Sequence, residues 1–144
     1  MKKTFASFFL AALCLPALAQ MTPVGLWRSI DDNSGEVTAE ISIKDNGKGG
    51  LNGVLERSLV KSSGEPNCTQ CADDRKNKPK VGLEIIRSAV KVANEDAWEG
   101  GTIIDPDSGK IYKLRLAPIE GGKKLQVRGY IGPFYRNQVW QRIQ

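Results

Sequence analysis

The strongest constraint on the fold of this chain is a strict alternation of apolar and polar residues over positions 36–43. Odd-numbered positions carry Val, Ala, Ile and Ile, and even-numbered positions carry Glu, Thr, Glu and Ser. A period of two predicts a β-strand with one buried face, because successive side chains point to opposite sides of a strand. Residues 45–50 follow with three glycines and an Asn-Gly pair, which supply the positive φ angles of a tight turn.

Similar runs separated by turn residues continue to the C-terminus, at residues 51–59, 98–104, 112–116, 125–131 and 138–143. Together with a run around Trp27 and one at 81–90, they give about eight strands at the spacing typical of a sandwich or barrel. We expect an all-β fold, a small antiparallel meander barrel, because closure removes exposed sheet edges. The interior of such a barrel is either filled by side chains or holds one small ligand. Residues 83–92 fit a strand or a helix equally well.

Residues 61–80 form one long irregular segment that contains Cys68 and Cys71. A zinc site would need four ligands, and haem attachment would need a histidine where Ala72 stands. The first interpretation is a disulfide that pins the long loop. Disulfides persist in oxidising compartments, and the N-terminal residues described next predict export to one. A thiol–disulfide redox role stays open, because Arg75 and Lys76 lie close enough in sequence to stabilise a thiolate.

The N-terminus has the pattern of a secretory signal peptide. Lys2 and Lys3 precede an apolar run over residues 5–18, and a small-x-small site predicts cleavage between Ala19 and Gln20. We therefore expect a signal peptide at residues 1–19 and a single exported domain at 20–144, located in the periplasm. The apolar run is too short to span a membrane, and no later run is longer.

The composition excludes several functions. Loss of the two leader lysines from a net charge of +5 leaves +3, without the basic stripe that nucleic-acid binding needs. The chain has no histidine, which removes the usual catalytic relays and the usual proton shuttle. We therefore predict no enzyme activity, no metal and no cofactor. The oligomeric state is not predicted.

Two groups of residues are candidates for special roles. In a closed barrel the strand of Trp27 would neighbour the strand of Trp140 and Arg142, so Arg142 could stack on the Trp27 indole and plug one end. Arg128 and Tyr130 share one face of a strand. If that face is internal, they and Trp98 are the candidate contacts of a bound ligand; if it is external, they are ordinary surface.

An ordered series of motifs resembles the bacterial domain-of-unknown-function family 2147. The motifs are Gly25-Leu26-Trp27-Arg28 with Asp31-Asp32 and Gly35, Cys68-x-x-Cys71 with the stretch ending at Pro79, Gly82, Gly100-Gly101, Asp105-Pro106, Gly109-Lys110-x-Tyr112, residues 127–132 and Trp140-x-Arg142. The resemblance implies a small exported β-rich domain with terminal motifs similar to those of lipocalin-like barrels. It implies no catalytic residues.

Three functional hypotheses follow. The first is an exported barrel that binds a small apolar or amphiphilic ligand. The second is a filled barrel that acts in envelope assembly or stress through protein–protein contact, which a solid core and an exposed apolar patch would favour. The third is a thiol–disulfide redox protein that uses Cys68 and Cys71.

Overall fold

A computed structural model describes residues 21–60 and 64–143 of the chain. Eight strands follow one another, with one short 3-10 helix, Glu120–Gly122, between the sixth and seventh. The strands are β1 Gly25–Ile30, β2 Val37–Asp45, β3 Leu51–Ser58, β4 Glu84–Lys91, β5 Trp98–Ile104, β6 Ile111–Ile119, β7 Lys124–Ile131 and β8 Phe134–Arg142. The all-β prediction is confirmed. Within the described residues, no helix is long and apolar enough to cross a membrane.

The sheet is a closed meander in which every strand is antiparallel to the next. Strands β1 and β8 complete the closure, with Trp27 paired to Arg142 and Arg28 to Gln141. The predicted barrel, with its first and last strands as neighbours, is therefore confirmed. The predicted signal peptide and its cleavage site at Ala19 and Gln20 lie outside the described residues.

The antiparallel order gives the barrel two ends. At one end strand β1 begins, and the β2–β3, β4–β5 and β6–β7 connections lie there; we call this the Trp27 end. The β1–β2, β3–β4, β5–β6 and β7–β8 connections lie at the other end, which we call the disulfide end. The long loop and the β7–β8 hairpin are therefore at the same end of the barrel.

The ambiguous segment after residue 83 is a strand, β4, with two irregularities. Gly53 pairs with Ile86 and Val54 with Glu84, so Ile85 is an extra residue that bulges out of the ladder. Ser88 has a φ of 59°, in the left-handed region. Because these irregularities interrupt the alternation, Ile85 and Ile86 are both buried, and their pattern resembles a helix in sequence.

The barrel interior is filled by its own side chains. Large apolar residues from all eight strands are buried, and none of the following exceeds 9% exposure: Trp27, Ile41, Ile43, Leu51, Leu55, Ile86, Trp98, Leu114, Leu116, Leu125, Val127 and Trp140. An eight-stranded barrel is just wide enough for such filling. Of the two interiors that the sequence left open, the structure has the packed one.

The long β3–β4 loop is pinned by the predicted disulfide between Cys68 and Cys71, which is confirmed. Both cysteines are buried and belong to the apolar core cluster. The Gln70 carbonyl lies against Gly109 of the β5–β6 turn, only 2.0 Å from where a Cβ at Gly109 would stand. A side chain at position 109 would therefore push the loop away from the turn.

A buried arginine in the loop fixes it to strand β4. The Arg75 guanidinium binds the Asp73 carboxylate, at 2.6 Å for the shortest contact, and donates to the Glu84 carbonyl at 3.0 Å. Hydrogen bonds from Arg75, assisted by its charge, lower the pKa of Asp73 to about 2. The loop is thus held by an ion pair as well as by the disulfide.

Candidate functional site

Two of the three residues predicted to close the barrel, Trp27 and Arg142, meet at the Trp27 end. The Arg142 guanidinium carbon lies 4.1 Å from the centroid of the Trp27 ring. The indole of Trp27 is fully buried and donates to the Pro23 carbonyl at 2.7 Å. The contact is a shielded cation–π pair of the kind that stabilises a fold by about 1–2 kcal/mol.

Arg142 also joins its own strand to two other segments of backbone around this pair, the stretch before β1 and the turn between β6 and β7. Its guanidinium donates to the Gly122 carbonyl at 2.6 Å, to Val24 at 2.8 Å and to Thr22 at 2.5 Å. Burial lowers the pKa of Arg142, because desolvation disfavours its charged form. With its donors directed at carbonyls of the fold itself, this arginine has the geometry of a structural plug.

Trp140, the third member of the predicted closure group, lines the interior rather than stacking on Arg142. It is 2% exposed and pairs with Leu125 across β7 and β8. Its indole donates to the Gln138 side chain at 3.1 Å. Trp140 therefore contributes to the packed core beneath the closure.

The structure does not bring Trp98, Arg128 and Tyr130 together. Trp98 pairs with the fully buried Leu116, so the Trp98 side chain lies on the inner face. The Lys91 ammonium lies 4.5 Å from the centroid of the Trp98 ring. Arg128 and Tyr130 alternate with the buried Val127 and therefore lie on the outer face of β7. The internal interpretation of the Arg128 face does not hold, and the three residues cannot line one interior site.

Arg128 is instead the centre of a cluster on the outer surface that the sequence analysis did not identify. Its guanidinium donates to the Asn137 side chain at 2.6 Å and lies 4.4 Å from the centroid of the Tyr135 ring. The rings of Tyr130 and Tyr135 are 6.0 Å apart. We call these four residues the Arg128 cluster. Cross-strand pairing of Arg128 with Asn137 and of Tyr130 with Tyr135 places them side by side.

The β7–β8 hairpin ends in an exposed apolar tip. Ile131 and Phe134 pair across the Gly132-Pro133 turn and are 50% and 77% exposed, and Tyr135 is 59% exposed. We call residues 131–135 the hairpin tip. A phenylalanine that keeps three quarters of its surface in water gains almost nothing from folding, and adjacent exposed apolar residues typically mark an interaction site.

A shallow groove of about 600 Å³ lies on the outer face of β1–β3. Its lining residues are Val24, Gly25, Leu26, Glu40, Ser42, Ile43, Lys44, Glu56 and Arg57. The Glu40 side chain is 10% exposed and accepts hydrogen bonds from Arg28 at 3.4 Å and Arg57 at 3.3 Å. The groove therefore combines an apolar floor with a carboxylate already engaged by two arginines.

No group of three or more His, Cys, Asp or Glu residues that could hold a metal ion occurs within residues 21–60 and 64–143. Cys68 and Cys71 form a disulfide with exposures of 0% and 1%. Exchange requires a thiolate to reach a disulfide sulfur, and this burial denies it access.

Comparison with known proteins gives the following results. Among solved structures, the chain is similar to a protein of the human pathogen Helicobacter pylori described as belonging to the lipocalin family. The two are 15% identical, the match covers 84% of this chain and 82% of the other, and the TM-score is 0.69, so the likeness is one of fold. No curated protein matches the chain. A family model described as "Uncharacterized protein conserved in bacteria (DUF2147)" matches residues 25–142. The chain therefore belongs to this bacterial family.

Proposed function

We propose that this chain is an exported, non-catalytic protein of the bacterial envelope that acts through contact at its outer surface. The contact region is the hairpin tip together with the Arg128 cluster. The observation that carries the proposal is the combination of a packed interior with exposed Ile131, Phe134 and Tyr135 at one end. A packed barrel has its binding capacity on the outside, and this tip is where its apolar surface is concentrated on paired residues.

The chemistry of the chain supports a role without catalysis. It has no histidine, and Cys68 and Cys71 are joined in a buried disulfide. Its arginines with raised pKa, Arg87 and Arg115, are bound to carboxylates that hold them in the charged form. Such pairs stabilise the surface of a fold and provide no group poised to exchange a proton near neutral pH.

Contact at the tip is testable by photo-crosslinking in living cells. A photoreactive amino acid in place of Phe134 is expected to give a reproducible adduct, of protein or of lipid mass. The same residue in place of Lys48, which is exposed on the β2–β3 turn at the Trp27 end, is the matched control and is expected to give none. Equal adducts at both positions, or no adduct at position 134, would refute contact through the tip.

Export is tested on the same cells. The leader of residues 1–19 predicts that the mature protein begins at Gln20 and is released with the periplasmic fraction. Mass spectrometry of the purified protein reads its N-terminus directly. Retention of Met1 in protein from the cytoplasmic fraction would contradict periplasmic localisation.

A second candidate function is the binding of a small apolar or amphiphilic ligand. The groove on β1–β3 and the lipocalin-like fold support it. The residues that line the groove would contact this ligand. Trp98, Arg128 and Tyr130 cannot do so together, because Trp98 lies on a different face from Arg128 and Tyr130. A Ser42→Phe variant, which fills the groove, is expected to abolish uptake of a fluorescent fatty acid, whereas Phe134→Ser is expected to retain it. Absence of uptake by the unmodified protein would eliminate this candidate.

A further inference from the structure

We propose that the hairpin tip and the basic outer face of β6–β8 dock this chain on the surface of an anionic phospholipid bilayer. The proposal rests on the proposed function and names the partner of the same surface. It joins two features of one sheet region: apolar side chains that are exposed at the end of a hairpin, and cations on the strands directly behind them.

Charge is unevenly distributed over the strands of the barrel. Strands β6, β7 and β8 carry six Lys or Arg residues and no Asp or Glu residue. Strands β1–β5 carry five basic and five acidic residues and are balanced. Four of the six, Lys113, Arg115, Lys124 and Arg128, lie on the outer face of the sheet, which makes β6 and β7 its basic side. A cationic face of this kind is complementary to anionic lipid headgroups.

The cations of this face differ in whether carboxylates of the chain already bind them. Arg115 binds Glu95 and Glu99, and Lys124 binds Glu120. Arg128 and Lys113 form no ion pair with any carboxylate in the part of the chain that the structure describes. Both lie on the outer face next to Tyr130, which pairs directly with Lys113.

A third cation, Arg136, lies on the inner side of the hairpin. Its contact with Asp32 is 3.4 Å long, and both side chains are exposed, at 67% and 44%. A pair of this kind is weak in water and is easily exchanged for another anion. In the free protein the pair offsets the charge of Asp32, which lies with Asp31 in the β1–β2 connection, at the same end as the hairpin tip.

The side chains at the end of the hairpin alternate between its two faces. One face of the hairpin end carries Ile131 and Phe134, and the other face carries Tyr130 and Tyr135. The neighbouring strand adds Ile111, which is 44% exposed. Insertion to the depth of the headgroups would bury Phe134 and leave the tyrosine hydroxyls at the interface, where tyrosine is enriched.

The combination favours a bilayer over a soluble anion. A soluble polyanion would engage Lys113 and Arg128 but leave Phe134 in water. A bilayer surface offers negative charge and hydrocarbon a few ångströms apart, which matches cations immediately behind an apolar tip. Binding should therefore depend on both kinds of residue at once.

The test is flotation of the full mature protein with vesicles of phosphatidylethanolamine, with and without phosphatidylglycerol. Binding is expected only with phosphatidylglycerol, and it should weaken as salt is added. Phe134→Ser is expected to weaken binding about tenfold, since it removes an inserted aromatic side chain. Arg128→Gln is expected to weaken it about fivefold, the effect of one cation near an anionic surface.

Two variants at the Trp27 end are matched controls, because their side chains are exposed and lie at the opposite end of the barrel from the tip. Val90→Ser and Lys48→Gln are expected to leave binding unchanged. Thermal unfolding of each variant verifies that the barrel is intact. In addition, a Phe134→Trp variant is expected to gain emission that brominated acyl chains quench, since the native tryptophans are buried.

Each other outcome overturns the proposal in a distinct way. Equal binding by Phe134→Ser and the unmodified protein, with loss only in Arg128→Gln, indicates a site for anionic groups alone and refutes insertion of the tip. No binding to phosphatidylglycerol vesicles refutes the bilayer as partner. In that case a protein adduct from position 134 in cells leaves the proposed function standing, whereas the absence of any adduct refutes both.

Discussion

Replacement of Arg142 by alanine tests the closure of the barrel directly. This side chain stacks on Trp27 and donates to carbonyls of Thr22, Val24 and Gly122. It therefore connects the last strand, the segment before β1 and the turn between β6 and β7. Its loss would remove these contacts together and expose the Trp27 ring to water.

The expected cost follows from the contacts. A hydrogen bond to a charged group contributes about 1.5–3 kcal/mol, and a shielded cation–π contact about 1–2 kcal/mol. The contacts share one side chain and are not additive, and water can reach some of the carbonyls that are freed. We expect Arg142→Ala to lower the free energy of unfolding by about 3–5 kcal/mol. This is a large part of the total free energy of unfolding of a typical domain, which is about 5–15 kcal/mol.

Urea denaturation followed by tryptophan fluorescence measures this change. Arg136→Ala is the matched control on the same strand, because Arg136 is 67% exposed and, among the residues that the structure describes, binds only Asp32, at 3.4 Å. It should cost less than about 1 kcal/mol. The reasoning is refuted if Arg142→Ala loses no more stability than Arg136→Ala does.

Other positions give sharp expectations. Asp73→Asn should lower the free energy of unfolding by about 1–2 kcal/mol at pH 7, because Arg75 lowers the folded-state pKa of Asp73 to about 2. The difference between the two proteins should shrink below about pH 4 and vanish near pH 2, and acid denaturation curves measure it. Gly101→Ala should cost about 1–3 kcal/mol in urea denaturation, since a Cβ there would stand 2.3 Å from a backbone oxygen of the neighbouring strand. Replacement of both Cys68 and Cys71 by alanine should cost about 2 kcal/mol, the entropy of closing a loop that short, and an unchanged melting temperature would contradict it.

Much of the fold could be predicted from local pattern. The alternation over 36–43 corresponds to β2, whose residues Ile41 and Ile43 face the core. The glycine pair at 100–101 lies at a register shift in β5, as expected for a bulge. These features are determined by neighbouring residues, so the sequence suffices to identify them.

Features that depend on distant contacts could not be predicted. Ile85 is buried although it bulges out of its ladder, and this breaks the alternation that would have identified β4 as a strand. The burial of Arg75 depends on a carbonyl in β4 and on Asp73 together.

The candidate site shows the same division. The alternation of Arg128 and Tyr130 with Leu125 and Val127 was visible in the sequence, but which face was internal depended on the burial of Val127. The partners Tyr135 and Asn137 could be assigned only once the register of the β7–β8 hairpin was known. Whether the interior was packed or open depended on side chains from all eight strands and had no local signal.

Native mass spectrometry of the mature protein purified from its own cells tests the central claim, that the barrel is filled and works from its outer surface. We predict a single species at the mass of the polypeptide, with no small molecule retained inside. A stoichiometric ligand that is lost on enlargement of an interior side chain, as in Val127→Phe, and kept in Phe134→Ser would contradict the account.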